Sequence, residues 1–313
     1  MSSSKPLTQT NQNTHHPLLW HLVALFIVVV WGSTLASTKV LLASMSPAQI
    51  MLYRAIMAYG LLWVMSPRFR TWHSLHTELL YIGAGLCGIT LYFLTENTAL
   101  IYTYSSNVAL LVTASPLFTV LIASFVLKTH AFNQRVFWAC IMALVGVALV
   151  IYSQAPKHPH QSVTTNFGND LLGNGLAIVS GLVWAFFGFL MAKMNDGLNP
   201  IVRMRKIFFY GIVTTAIYMG LVGEAFVNVK ALQSVNLANL GFLGGIASAL
   251  CFVLWNRANH YLGVVKTSLY IYFIPLVAVI LGVVWLGEPV TLMTLIGGVM
   301  IAGAVFLANF KRQ

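Results

Sequence analysis

The sequence predicts an all-α polytopic membrane protein with ten transmembrane helices in two inverted five-helix repeats. Composition, the length of the apolar runs and an internal repeat each point there. Hydrophobic residues make up 58% of the 313 and charged residues 7%, with a mean hydropathy of +0.82, whereas soluble domains carry about 25% charged residues. Apolar runs long enough to cross a hydrocarbon core, which takes about 20 helical residues, recur ten times. Backbone polar groups must be satisfied inside lipid, and runs this long exclude the short strands of a barrel, so the spans are helices.

Taken in order, residues 1–17 form a polar tail that is expected to be disordered and cytoplasmic. Its His15 and His16 have metal-binding chemistry, but adjacent histidines on a loose tail read as solvated, and no metal or cofactor is expected. The first apolar run, 18–42, lacks a small-residue cleavage pattern, so a signal peptide is not expected. The first repeat, 18–152, holds spans at 18–42, 47–65, 78–98, 105–127 and 134–152. A linker at 153–169 leads to the second repeat, 170–310, with spans at 170–192, 202–222, 236–256, 265–286 and 290–309 and a short tail, 311–313. Cys87, Cys140 and Cys251 stand singly in apolar runs and read as reduced packing residues. The glycines of GFLGG (241–245) and IGGVMIAG (296–303) read as sites of close helix approach, with a dimer contact as the alternative. Monomer and homodimer both remain open.

The net charge of +11 resides mainly in short loops. With the N-terminus inside, thirteen of the seventeen cations fall on inner segments and only Lys157 and Lys230 on outer ones, a positive-inside pattern that places both termini in the cytoplasm of a bacterial-type inner membrane. Nucleic acid is therefore not expected as a partner; the lipid bilayer is. Lys39 and Arg54 complete the count within spans.

A shift of 159 positions lays ALIYTYSSNVALLVTASPLFTVLIASFVLK (99–128) on ANHYLGVVKTSLYIYFIPLVAVILGVVWLG (258–287) without a gap. Seven of the thirty residues are identical; Pro116 meets Pro275, Tyr102 meets Tyr261, and just upstream Asn97 meets Asn256. Trp31 to Pro47 and Trp184 to Pro200 share a spacing of sixteen. Five helices per half is an odd number, so the halves enter the membrane with opposite polarity, the arrangement of many secondary transporters.

The segment WGSTLASTKVLLASMSPAQIMLYR, with Trp31, Lys39, Pro47 and Arg54, together with ALIYT…SPLFTVLIAS and its second copy IPLVAVILGVVWLGEPVT…IGGVMIAGAVFLA, resembles the EamA family of the drug/metabolite transporter superfamily. The resemblance covers roughly 18–310. It implies a central cavity that opens alternately to each side, and members that mostly export amino acids and related metabolites. The acid that often follows the fourth helix of a repeat is present as Glu288, whereas the first copy reads KTHAF without one, and Glu288 is given a structural role only.

Ionisable groups within spans usually face a bundle interior or a wet cavity. Lys39, Arg54 and Glu96 lie at depths of about 6, 10 and 5 Å from the outer ends of their spans, within reach of one another, and two cations against one carboxylate leave a charge that an organic anion can satisfy. Each also has a plain reading: Lys39 snorkels to the interface, Arg54 and Glu96 form a buried pair that fixes packing, or Glu96 carries a proton. Asn97 and Asn256, Pro116 and Pro275 are paired interruptions of the kind that flank transporter sites, the prolines acting as kinks or hinges unless they merely improve packing. Trp31, Tyr92, Trp184, Trp255, Tyr270 and Tyr272 are candidate walls of a pocket, with Asn107 as a further polar candidate, although some aromatics will instead be interfacial.

An enzyme is not expected. The two aspartates, Asp170 and Asp196, sit at helix edges, no histidine lies centrally in a span, and no phosphate-cradling loop appears. The resulting expectation is a secondary-type exporter of small organic solutes, with proton coupling open. A solute receptor or scaffold without transport and an exporter of organic cations or drugs are the alternatives.

Overall fold

The computed structural model describes residues 17–67, 74–115, 118–119, 121–122, 134–152, 167–194, 196–262 and 270–309. Among these there are helices and turns but no strand. The two tails, Pro116, the fourth span beyond 122 and most of the linker lie outside the described residues, as do the side chains of Cys140, Asn256 and Tyr272.

Local chemistry sets the helix starts. Helix α1 spans Pro17–Leu42, and α2 spans Pro47–Met65. Ser46 caps α2: its Oγ accepts from the Gln49 N–H at 3.1 Å, while Gln49 Oε1 accepts from the Ser46 N–H at 3.2 Å, with Pro47 in the first turn. The same device recurs in the second half, where Asn199 accepts from Ile201 N–H at 2.9 Å ahead of Pro200. Helix α3 spans Leu75–Tyr102, α4 Ser105–Val112, α5 Gln134–Tyr152, α6 Phe167–Lys193 and α7 Pro200–Val222. Helix α8 covers 234–262, α9 spans Ile274–Leu286 and α10 Leu292–Asn309.

Six of the described helices are long and apolar enough to cross a membrane, and Phe137–Val150, Ile274–Leu286 and Leu292–Ala304 are shorter apolar ones. Large apolar side chains such as Leu221 (82% exposed) and Val284 (78% exposed) point outward, as a lipid-facing surface requires. The protein is a multi-pass helical membrane protein. Ten is the count read from sequence; α4, described through Ser105–Val112, is where the structure stops short of it.

Two features went unread in the sequence. Helix α3 widens into a π-helical segment at Leu86–Leu91, and α8 does so at Phe242–Leu250. The 159-residue shift carries the first onto the second, and such segments recur at functional sites. Hydropathy carries no mark of them because a π turn changes hydrogen-bond register, not composition.

Beside each π segment two backbones touch. A Cβ on Gly85 would stand 2.7 Å from the Gly211 nitrogen, and one on its shift-related counterpart Gly244 would stand 2.9 Å from the Arg54 carbonyl oxygen and 2.6 Å from Met57 Cβ. Helix α3 thus packs on α7, and α8 on α2, contacts that exchange when the halves are swapped. At the periphery α5 and α10 meet equally closely, with a Cβ on Gly146 falling 2.7 Å from the Gly297 oxygen.

Of the paired prolines only Pro275 falls among the described residues. Pro275 lies in the first turn of α9, directly after the turn Ile271–Phe273. Its missing N–H would be unbonded there in any case, so within the described residues it opens a helix rather than kinking one.

Candidate functional site

The helices enclose a cavity of about 130 Å³. Helices α1, α2, α3 and α4 contribute to it from the first half, and α6, α8 and the start of α9 from the second. Five residues singled out in the sequence line it: Trp31, Arg54, Tyr92, Glu96 and Trp184. Phe93, Phe252, Thr34 and Thr113 complete the walls that matter for its chemistry.

The π segments deliver these side chains. Tyr92, Phe93 and Glu96 follow directly on the first one, and the second carries Ser248 and is followed by Phe252. Ser248 is fully buried and its Oγ accepts from Arg54 Nε at 2.8 Å. The guanidinium lies over the Phe93 ring, 4.0 Å from its centre. Arg54, 5% exposed, is thereby held by one edge and one face, and among the described residues it makes no ion pair with a carboxylate. Glu96 accepts instead from the Tyr92 hydroxyl at 2.7 Å. A cation and a carboxylate therefore border one cavity without closing on each other.

Aromatic contacts make the walls rigid. Trp31 donates its Nε1–H to the Ala247 carbonyl at 3.0 Å and packs on Trp255 and Phe252 with ring centres 5.1 and 5.7 Å away. Trp184 packs at a tilt against Tyr92 at 4.8 Å and Phe187 at 5.1 Å. Trp255 thus supports the site from behind Trp31.

Other sequence candidates lie elsewhere. Lys39 does not join Arg54 and Glu96: its Nζ meets Glu288 Oε1 at 3.0 Å and the Thr103 carbonyl at 3.2 Å. The reason is Gly287, whose left-handed backbone (φ 65°) ends α9 and turns Glu288 back onto the N-terminus of α4. There Glu288 accepts from the backbone N–H and hydroxyl groups of Ser105 and Ser106 at 2.8–3.1 Å. Burial raises the Glu288 carboxyl, but the Lys39 charge and these donors outweigh it and hold it below the usual carboxylate range. Asn97 is buried, donating to the Pro47 carbonyl at 3.2 Å with its Oδ1 unpartnered, and Asn107 is buried beside Thr103, also with an unpartnered Oδ1. Tyr270 bonds His21 Nδ1 at 2.7 Å and is not among the residues that line the cavity, although its neighbour Ile271 is.

A second charged cluster was missed altogether. Glu78, Lys206 and Tyr210 are buried, with Lys206 Nζ and Tyr210 Oη each 2.5 Å from the Glu78 carboxylate. The positive-inside count set Lys206 among the cations of an inner segment although it lies five residues into the expected span 202–222; in α7 it is buried. Next to it the Lys206 ammonium sits 4.4 Å from the Tyr81 ring centre, and the Tyr81 hydroxyl donates to Asp196. Asp196 also accepts from Arg203 at 2.8 Å and from the Leu198 N–H at 3.1 Å. Burial works to raise the Asp196 carboxyl, yet these donors bring it down to about 2.

Known proteins resemble the chain in sequence and in fold. The chain is 26% identical over 296 residues to an uncharacterized transporter of Archaeoglobus fulgidus, covering 94% of this chain and 98% of that one. It is 27% identical over 304 residues to a probable terminal-alkyne amino-acid exporter of Streptantibioticus cattleyicolor, with 93% of each covered. A solved crystal structure overlays 93% of this chain and 97% of its own with a TM-score of 0.59 at 17% identity, a likeness of fold. The model of the EamA-like transporter family matches twice, at 18–152 and 171–310. Two matched copies, contacts that exchange between the halves and a cavity shared by both agree on one identity: the chain belongs to the EamA-like transporter family.

Proposed function

We propose that the protein exports amino acids or closely related carboxylates across a bacterial inner membrane by alternating access, with both termini in the cytoplasm. The observation that carries this reading is Arg54: a buried cation on a shared cavity, fixed by Ser248 and Phe93 and in direct contact with no carboxylate among the described residues. A planar guanidinium held this way keeps donors for a bidentate carboxylate. Glu96 and the faces of Trp31 and Trp184 suit the ammonium end of the same solute, and the aromatic walls suit an apolar side chain. The printed name of the Streptantibioticus relative supports amino acids as the first class to try. The thirteen cations expected on inner segments, against only Lys157 and Lys230 on outer ones, support the orientation.

The space of about 130 Å³ is close to that of an engineered cavity of about 150 Å³ that holds benzene. A whole amino acid with a large side chain needs the helices to part, which suits a closed state between two open ones.

Flux of a panel of labelled amino acids and organic anions in proteoliposomes, with and without a proton gradient, tests the reading. Arg54→Ala is expected to abolish carboxylate transport. A folded Arg54→Met, Glu96→Gln double variant that transports normally removes both residues from the site, and no flux across the panel favours a receptor.

A further inference from the structure

Two charged clusters bridge the halves of the protein at opposite ends of the cavity. Their placement can be read along α3 alone. Glu78 lies fourteen residues before Tyr92 and Thr103 seven after Glu96, about 21 and 10 Å along a helix. At one end Glu78 and Tyr81 of the first half hold Lys206, Tyr210 and Asp196 of the second. At the other, Lys39, Ser105 and Ser106 of the first half hold Glu288 of the second. Helices α5 and α10, by contrast, join through backbone contact at Gly146 and Gly297, which has no alternative partner to offer.

We propose that Lys39–Glu288 and Glu78–Lys206 are the two latches of the transporter, one closing each end of the cavity and each breaking when its end opens. This rests on the alternating-access reading above and names the parts that would carry it. The chemistry suits the task. A charge-assisted contact at the mouth of a cavity exchanges its partners for water when the mouth opens, whereas close backbone packing has nothing to exchange. Each latch has built-in seating that lets it re-form. Glu288 returns to the N-terminus of α4, where four donors of Ser105 and Ser106 await it. Lys206 returns between the Glu78 carboxylate and the Tyr81 ring. Tyr81, through its hydroxyl on Asp196, ties the second latch to the turn that leads into α7.

The test is sidedness, and it needs no knowledge of the solute. Cys87, Cys140 and Cys251 are replaced by alanine, and a single cysteine is placed on the cavity wall as Thr113→Cys or, independently, Thr34→Cys. A membrane-impermeant maleimide is applied to intact cells and to inside-out vesicles. Lys39→Met is expected to raise labelling from one side by about tenfold, and the neutral double variant Glu78→Gln, Lys206→Met to raise it from the other side by a similar factor, as follows from losing one charge-assisted contact. The double variant removes both charges of its pair together, Lys39→Met leaves Glu288 its four serine donors, and monodisperse elution verifies that each variant is folded. Redistribution to opposite sides supports the latches whether or not flux is ever found for the tested solutes. Folded variants that raise labelling from the same side, or that leave both rates unchanged, overturn them.

Discussion

The exchangeable contacts of α3 on α7 and α8 on α2 make a quantitative prediction. Replacing Gly85 by alanine puts a Cβ 2.7 Å from the Gly211 nitrogen and 2.7 Å from Tyr210 Cβ, about 0.7 Å inside the 3.4 Å at which ordinary contact begins. Neither neighbour is the tip of a flexible chain, so one helix must move. Forced overpacking of this kind costs about 1–3 kcal/mol, against a gain of up to about 1 kcal/mol from the better helix propensity of alanine. For 313 residues, at an unfolding entropy of about 2.1 cal/mol/K per residue, a net loss of about 1–2 kcal/mol corresponds to a fall of roughly 1.5–3 °C in the midpoint of heat denaturation. Gly244→Ala faces the same geometry against Met57 Cβ and the Arg54 carbonyl and is expected to fall alike. Gly60→Ala, with nothing within 4 Å, measures the propensity gain alone and should melt at or slightly above the unsubstituted protein. The assay is thermal loss of the monodisperse peak in detergent for all three variants side by side. If Gly85→Ala and Gly244→Ala melt with Gly60→Ala, the helices do not approach as closely as the backbone contacts require.

Two further outcomes follow from the loops. Asp196 is held at about 2, below its ordinary 3.8, so the stability it contributes is complete above the ordinary value and is lost as pH falls through about 2; the gap in melting temperature between the protein and Asp196→Asn should stay constant from about pH 8 to 5 and close only below about pH 4. Gly287 holds φ at 65°, a conformation that costs a residue with a Cβ about 1–2 kcal/mol, so Gly287→Ala should both lower the melting temperature and raise maleimide labelling of Thr113→Cys from the same side as Lys39→Met, by unseating Glu288.

What the sequence revealed and what it hid divide along physical lines. Apolar run length is local, and two of the expected spans, 47–65 and 134–152, appear as Pro47–Met65 and Gln134–Tyr152. Arg54, Glu96, Tyr92, Trp31 and Trp184 were legible because polar or aromatic groups at depth need a reason to be there, and all five line the cavity. Partner choice was not legible. Lys39 and Glu288 are 249 residues apart and meet only because a left-handed glycine turns the chain, while a buried Lys206 looks like any cation near a helix start. Ser248 gave no signal either; its worth lies in a π segment that brings it to Arg54.

The scarcity of acids explains why Arg54 is the group to watch. The chain has six carboxylates against seventeen cations. Among the described residues Glu78, Asp196 and Glu288 are each taken by a cation, Lys206, Arg203 and Lys39, and two of these three pairs bridge the halves at the ends of the cavity. Glu96 belongs to Tyr92. A buried cation is costly unless something compensates it, and Arg54 has a serine, a ring face and the field of a carboxylate across a cavity. Paired charges suit parts that hold the protein closed; an unpaired one on an aromatic cavity suits a passenger that brings its own carboxylate. Drawing Glu96 onto Arg54 would cost the Tyr92 hydrogen bond and leave the cavity with no charge to offer.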